Sequence, residues 1–306
     1  MKLTRFLRAA ALLGALVYAP ILPARAGKAD REQRPAPVTP PLHGSLDLKS
    51  MPFSPLIKRK ETTWVYLPPG YAQSNQRYPV IYVLHGQPGG WTDCYRSGRV
   101  EEMADTLISS GQMPPVILVA FDGNGPRGLR DFTNFCNRAD GFRMEDFIAS
   151  DLVRTIDSTY RTIPDAAHRG IWGYSSGGYG ALNLGIKHPD VFNVICSHAG
   201  FYNPDGDAAV MQKILGPKGP NWDANDTLIQ AQKLPPNAPL HFYIDASPNE
   251  DQFAQFQGLV SELKAKNVDV DTDVLQKAHA WRLIVSHCRE SLLFAGAAFG
   301  KAGAGK

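Results

Sequence analysis

The chain has 306 residues, enough for one large domain or two small ones, and its composition is that of a globular protein. With 43% hydrophobic and 20% charged residues, 28 Gly and 24 Pro, it is not a coiled coil, a collagen-like repeat or a largely disordered chain. The formal charge of +3 comes from four basic residues within positions 1–26. The rest of the chain is close to neutral and slightly acidic, so no nucleic-acid partner is expected.

Residues 1–26 have the pattern of a secretory signal peptide. Basic residues at positions 2, 5 and 8 precede an apolar run that ends in Ala24-Arg25-Ala26, a typical cleavage sequence. The run is shorter than the roughly 20 apolar residues of a membrane-spanning helix, and Pro20 and Pro23 interrupt it. We therefore expect export to the periplasm or the extracellular space, with no stable membrane anchor after cleavage.

The flanks of the remaining chain differ in composition from its middle. Residues 27–43 combine four prolines with charged residues and predict a disordered tether. Residues 300–306 contain only Gly, Ala and Lys, which favours a flexible tail. One folded domain is expected between them, over residues 44–299.

Short β-rich runs alternate with helical patterns along this domain. Strands are predicted at Thr62–Leu67, Val80–Leu84, Val116–Phe121, Gly170–Gly173, Val191–Cys196, Leu240–Asp245 and Val268–Val274. Helices are predicted at Gly98–Ser110, Met144–Tyr160, Ser176–Lys187, Asp251–Lys266 and Ala280–Phe299. This alternation predicts an α/β fold with a mainly parallel sheet and helices on both faces.

The segment Asn203–Pro239 is rich in Gly, Pro, Asn and Asp and is predicted to have little regular structure. Insertions of this kind lie over the carboxyl ends of strands, where α/β proteins bind ligands. The sequence is equally compatible with a surface loop without a role in binding.

The four cysteines allow three disulfide pairings in an oxidising compartment. Cys196 lies in an apolar run and is expected to be a buried strand residue. Cys94 and Cys136 lie in polar, loop-like stretches, so a bridge between these two is the expected pairing if one forms.

Residues 168–187 combine a short strand, a glycine-rich turn and a helix around the sequence Gly173-Tyr174-Ser175-Ser176-Gly177. This is G-x-S-x-G in the strand–turn–helix context of a nucleophile elbow, where the turn is so tight that only small residues fit two positions before and after the serine. Ser175 is therefore predicted to be a nucleophile. Ser176 cannot take that role, because Tyr174 would then occupy a position that must be small.

A serine nucleophile needs a histidine base and a carboxylate that orients it, later in the chain. His279 is the preferred histidine, since it lies between a predicted strand and a helix; His198 and His287 are the alternatives. The carboxylate candidates follow the strand that ends near Asp245 and are Asp245, Glu250 and Asp251. Asp251 is preferred, although an Asp at a helix start is equally suited to capping that helix.

The chain resembles the esterase D-like family of α/β-hydrolases, which includes S-formylglutathione hydrolases, feruloyl and acetylxylan esterases, enterochelin esterases and mycolyltransferases. The similar stretches, spread over roughly residues 44–294, are Val65–Tyr71, Tyr78–Gly86, the elbow, Ile244–Phe253 and His279-Ala280-Trp281. The resemblance implies Ser175, Asp251 and His279 as the catalytic triad. It also implies an oxyanion hole formed by the backbone N–H groups of Gln87 and Ser176.

Aromatic residues are frequent near the predicted catalytic residues, and Tyr174 and Trp91 are the candidates for substrate binding. No zinc-ligand spacing is present, and Gly123–Gly128 matches a dinucleotide fingerprint only outside the helix context that this fingerprint needs. We therefore expect no metal and no cofactor.

The sequence predicts an exported serine carboxylesterase that acts through an acyl-enzyme on a small-molecule or polysaccharide-linked ester, such as an acyl or feruloyl ester of a sugar. An acyltransferase that moves the acyl group to a sugar hydroxyl would use the same triad. A non-catalytic carbohydrate-binding protein on this fold is the alternative from another class. The sequence gives no expectation for the oligomeric state.

Overall fold

The computed structural model describes residues 41–275 and 281–304 of the chain. The predicted signal peptide, and the predicted tether up to residue 40, lie outside the described residues. In the described part, eight strands form one sheet in the order β1-β2-β4-β3-β5-β6-β7-β8. The strands are β1 Ser45–Ser54, β2 Arg59–Leu67, β3 Val80–Leu84, β4 Ile117–Phe121, β5 Arg169–Tyr174, β6 Val194–His198, β7 His241–Ala246 and β8 Asp269–Val274.

Helices connect the strands and cover the sheet. They are α1 Trp91–Arg96, α2 Val100–Ser109, α3 Met144–Asp146, α4 Val153–Thr159, α5 Ser176–Lys187, α6 Ala208–Leu215, α7 Pro220–Asp223, α8 Thr227–Lys233, α9 Phe253–Ala265 and α10 Trp281–Ala304. A π-helical stretch, Phe147–Leu152, joins α3 to α4. Among the described residues, no helix has both the length and the apolar character needed to cross a bilayer.

Strands β3 to β8 pair in parallel, whereas β1 and β2 are antiparallel to their neighbours. Parallel strands need both faces covered, and β3 shows how the sequence provides for this. Val80, Tyr82 and Leu84 pack into the core on one face of the sheet. Ile81 and Val83 pack into the core on the other face. The predicted α/β fold, with helices on both faces of a mainly parallel sheet, is confirmed.

The strand β1 and the helices of the segment Asn203–Pro239 differ from the sequence prediction. In β1, Leu48 and Phe53 are exposed, so the strand lacks the buried alternation by which strands are recognised. The segment expected to have little regular structure contains α6, α7 and α8. These short helices bury Met211, Ile214 and Trp222 in a small cluster of their own, and this packing outweighs the local preference for turns.

Helix α10 extends beyond its predicted end. It runs through Gly300 to Ala304, into the segment that was expected to be a flexible tail. Ala302 and Ala304 favour the helix, whereas Gly300 and Gly303 disfavour it, so local propensity does not explain the continuation.

Glu101, in the first turn of α2, is a buried carboxyl group with a perturbed pKa. Burial raises its pKa from the ordinary value of 4.5 to about 8. Between these two pH values the unfolded chain has released the proton while the folded chain retains it. Folding stability therefore falls with rising pH in this range, by up to about 1.4 kcal/mol per pH unit from this group.

We predict that Glu101→Gln, which keeps a neutral side chain of the same shape, raises the melting temperature more at pH 8 than at pH 5. Thermal unfolding at the two pH values measures this difference. Glu290→Gln, at an exposed position on α10, serves as the control and should show no such pH dependence. An equal change in melting temperature at both pH values would show that the Glu101 carboxyl does not remain protonated in the folded protein above its ordinary pKa.

Candidate active site

Ser175 lies at the carboxyl end of β5, in a backbone conformation that few side chains adopt. Its φ is 58° and its ψ is −120°. Two hydrogen bonds hold this residue: its N–H donates to the carbonyl of His198 at 2.8 Å, and its carbonyl accepts from the N–H of Tyr179 at 3.0 Å. Strained conformations of this kind persist only where the surroundings over-determine them, and they cluster at functional sites.

The glycines around Ser175 are required by the space available. A Cβ at Gly173 would lie 2.0 Å from the carbonyl oxygen of Gly177, and a Cβ at Gly177 would lie 2.3 Å from that of Leu84. Real side chains do not tolerate such distances to backbone, so both positions accept only glycine. The strand–turn–helix geometry of the predicted elbow is present.

The loop after β3 passes directly beside the elbow. A Cβ on Gly86 would lie 3.3 Å from the Cβ of Ser175, which shows how closely the two backbones approach. His85 fixes this loop, because its buried ring bonds to the Gly86 carbonyl at 2.9 Å and accepts from the Gly123 N–H at 3.0 Å. Gln87, the next residue, is thereby held at the pocket that contains Ser175 and Ser176.

This pocket has a volume of about 280 Å³ and lies at the carboxyl edge of the sheet. Its walls come from the loops after β3, β6 and β7 and from the elbow. The lining residues are Gln87, Ser175, Ser176, Ala199, Gly200, Phe201, Gly206, Asp207, Glu250 and Gln252. Phe201 is one of the aromatic residues noted near the predicted catalytic residues, and Asp207 lies in the insertion Asn203–Pro239, which was a candidate to cover this edge. Gln252 was not predicted as a site residue.

The three candidate carboxylates at the end of β7 and in the turn that follows it have different surroundings. Asp251 is exposed in the turn that precedes α9. Glu250 is half-buried and lines the pocket with Ser175. Its charge, with that of Asp245, adds to burial in raising the pKa of Tyr174 to about 12. The preferred Asp251 is therefore not among the residues that line the pocket, whereas its neighbour Glu250 is.

Asp245 is fully buried and bonded below the pocket. One oxygen bonds to Nδ1 of His198, and the other accepts from the N–H of Ala199 at 2.8 Å. Nε2 of His198 lies 2.8 Å from Oγ of Ser291, which accepts from Nε1 of Trp172 at 2.9 Å. These buried groups connect β5, β6, β7 and α10, and breaking such a buried pair typically costs about 3–5 kcal/mol.

The described histidines that follow Ser175 each lie close to a carboxylate outside the pocket. His198 bonds to Asp245 as above. The other three pairs are His188 with Glu145 at 3.0 Å, His241 with Asp269 at 2.8 Å and His287 with Asp273 at 3.0 Å. In the described part of the chain, none of these histidines lines the pocket. His279, the preferred base, lies outside the described residues, in the sequence between β8 and α10.

The two aromatic candidates pack against protein and do not line the pocket. Tyr174 is buried beside the elbow, against Gly86. Trp91 begins α1 and packs edge-on against Trp64, with ring centroids 5.0 Å apart. Phe201 is the aromatic residue that reaches the pocket, and its ring stacks on Tyr179 at 4.1 Å.

Cys94 and Cys136 are buried free thiols in the structure. The expected bridge between them is absent, because the two residues are not in surface loops. Cys94 lies on α1 in the core beneath one face of the sheet. Cys136 packs with Tyr179 in the cluster formed by the inserted helices. Burial raises the pKa of the Cys136 thiol to about 12.

The chain is similar to several known proteins. Residues 54–282 match the model of the esterase family described as "Putative esterase". An endo-1,4-beta-xylanase/feruloyl esterase from Xylanibacter ruminicola is 29% identical over 157 residues, which are 49% of this chain and 21% of that protein. An S-formylglutathione hydrolase from Arabidopsis thaliana is 25% identical over 250 residues, 74% of this chain and 82% of that protein.

Among solved structures, a ferulic acid esterase superposes with a TM-score of 0.73 at 21% identity, covering 84% of this chain and all of that one. That likeness shows a shared fold. The chain spans between a fifth and a third of the length of the first curated relatives that it matches. The family model covers most of the chain, including the elbow and the pocket residues, and the chain belongs to this esterase family.

Proposed function

We propose that this protein is a serine carboxylesterase that hydrolyses its substrate through an acyl-enzyme on Ser175. The observation that carries the proposal is the elbow. It holds the Ser175 side chain at a pocket on the carboxyl edge of the sheet, at the N-terminus of α5. Family membership and the feruloyl esterase among the relatives support ester hydrolysis.

In the proposed mechanism, Oγ of Ser175 attacks the ester carbonyl carbon while its proton passes to His279. The carbonyl electron pair moves onto the oxygen, where the backbone N–H groups of Gln87 and Ser176 stabilise the negative charge. Such donors are typically worth about 10²–10³ in rate each. Collapse breaks the bond to the alcohol, which leaves with the proton from His279. Water then attacks the acyl-enzyme by the same route and releases the acid.

The position of β8 supports His279 as the base. Strand β8 is parallel to β5 and is the third strand from it, a separation of about 14 Å. His279 is the fifth residue after Val274, where β8 ends, and five residues can span up to about 17 Å. The chain length after β8 therefore allows His279 to reach Ser175.

We assign the orienting carboxylate to Glu250. Asp245 has both oxygens engaged below the pocket, and Asp251 is exposed on the turn. Glu250 lines the pocket, and its charge adds to burial in raising the pKa of the Tyr174 and Tyr202 phenols. A carboxylate that orients a catalytic imidazole must lie within hydrogen-bond reach of a ring that itself reaches the nucleophile. Glu250, half-buried beside Ser175, meets this requirement better than the exposed Asp251.

We further propose that the protein is exported and that its substrates are acyl or feruloyl esters of sugars. The signal-peptide pattern of residues 1–26 supports export. The name of the feruloyl esterase relative supports the substrate class.

Removing the nucleophile tests the reaction directly. We predict that Ser175→Ala lowers the rate of p-nitrophenyl acetate hydrolysis by at least about 10³-fold, because no other group takes over the attack. Release of p-nitrophenolate measures the rate. Ser110→Ala, at an exposed serine at the end of α2, should retain full activity. Retention of most of the activity by Ser175→Ala would contradict the proposal.

Two matched amide variants separate the adjacent carboxylates. We predict that Glu250→Gln lowers kcat by about 10²–10⁴-fold with KM kept within about threefold, since the imidazole loses its orientation and its charge partner. Asp251→Asn should change both parameters by less than about threefold. Steady-state kinetics on one ester measure both variants. The reverse result, with Asp251→Asn inactive and Glu250→Gln active, would assign the role to Asp251.

A further inference from the structure

Two side chains in the pocket carry buried polar atoms without a hydrogen-bond partner among the described residues. They are Gln87, whose Nε2 and Oε1 are both unpaired, and Ser176, whose Oγ is unpaired. Ser176 is 5% exposed, and both residues line the pocket beside Ser175. By contrast, Oε1 of Gln252, in the same pocket, accepts from the N–H of Tyr202 at 3.3 Å. Of these three polar side chains, Gln252 therefore has a hydrogen-bond partner within the protein, whereas Gln87 and Ser176 have none among the described residues.

Unpaired buried polar groups are costly. Each destabilises the folded state, and most buried polar groups in native proteins have a hydrogen-bond partner. Gln87 and Ser176 both line this pocket, so their three unpaired atoms have a common physical explanation if a bound ligand pairs them. Destabilising features of this kind are expected at functional sites, and both residues lie beside the strained turn of Ser175.

The rest of the pocket offers both polar and apolar groups. Asp207 and Glu250 contribute carboxylates, and Gly200 and Gly206 contribute backbone. Ala199 and Phe201 are the apolar side chains in its lining. An alkyl chain bound here would leave the amide and the hydroxyl unpaired. A hydroxyl group, which both donates and accepts, pairs with either of them.

We propose that the side chains of Gln87 and Ser176 bind a hydroxyl group that the substrate carries close to its ester carbonyl, and that this contact selects hydroxylated esters over apolar ones. The inference rests on the proposed function, because the backbone N–H groups of the same two residues flank the reacting carbonyl. A site built to hydrogen-bond a substrate hydroxyl discriminates strongly against the analogue that lacks it, since the protein groups are then left unpaired.

Two matched pairs of esters test the selection and locate the hydroxyl. Glycerol monoacetate carries hydroxyl groups on its alcohol part that propyl acetate lacks. The p-nitrophenyl esters of 3-hydroxybutyrate and butyrate place one on the acyl side. For at least one pair we expect the wild-type protein to prefer the hydroxylated ester in kcat/KM, by about tenfold or more.

The variants Ser176→Ala and Gln87→Leu remove the side-chain hydrogen bonds and keep both backbone N–H groups. Each should lower the preference for the hydroxylated ester by about three- to tenfold, the range expected for one neutral hydrogen bond. The comparison uses the ratio of kcat/KM within a pair, so a general loss of activity does not imitate the effect. Melting temperatures of both variants confirm that they fold.

Ser197→Ala and Gln255→Leu are the matched controls. Both residues also carry a buried polar atom without a partner among the described residues, but neither lines the pocket. These controls should keep the wild-type preference. Two results would overturn the inference and leave the esterase proposal intact. One is that Ser176→Ala and Gln87→Leu lower kcat/KM equally for both esters of each pair; the other is that the wild-type protein shows no preference within either pair. Failure to hydrolyse any of the four esters would instead contradict the proposed function itself.

Discussion

The site depends on the contact between the elbow helix and the end of β3. The α-carbon of Gly177 packs so closely against the carbonyl of Leu84 that no side chain fits between them. This contact aligns the loop after β3 with the start of α5, and the same alignment brings Gln87 and Ser176 to one side of Ser175. The strained backbone of Ser175 is a consequence: the chain must reverse within a few residues while its helix stays pressed against the sheet.

A second constraint acts beneath the pocket. The buried pair of His198 and Asp245, extended by Ser291 and Trp172, ties four elements of the fold together. The strand of Trp172 leads to the nucleophile, and the strand of Asp245 leads to Glu250. Asp245 also holds Ala199, which lines the pocket at a φ of 45°. This network contains Ser, His and Asp, yet its burial makes it a positioning device, since a substrate has no access to Ser291.

The sequence predicted what short-range rules determine and missed what tertiary contacts determine. Strand β3 and helix α5 begin and end where their patterns predict, because a buried strand and a glycine-rich elbow have distinctive local signatures. The local sequence did not predict helices α6, α7 and α8, because their stability comes from the burial of Trp222 and its neighbours. The three-dimensional path of the turn before α9 decides which of two adjacent carboxylates points toward the pocket and which points toward solvent. Motif spacing alone therefore did not separate Glu250 from Asp251.

In the proposed mechanism, Ser175 alone carries the acyl group. Labelling the purified protein with a fluorophosphonate, followed by peptide mapping in a mass spectrometer, tests this directly, because the reagent reacts with activated serines and remains attached. We predict one label per chain, on the peptide that contains Ser175, and protection of this site by a competing ester. A label on any other residue, or none on a protein that hydrolyses esters, would show that Ser175 is not the nucleophile that forms the acyl-enzyme.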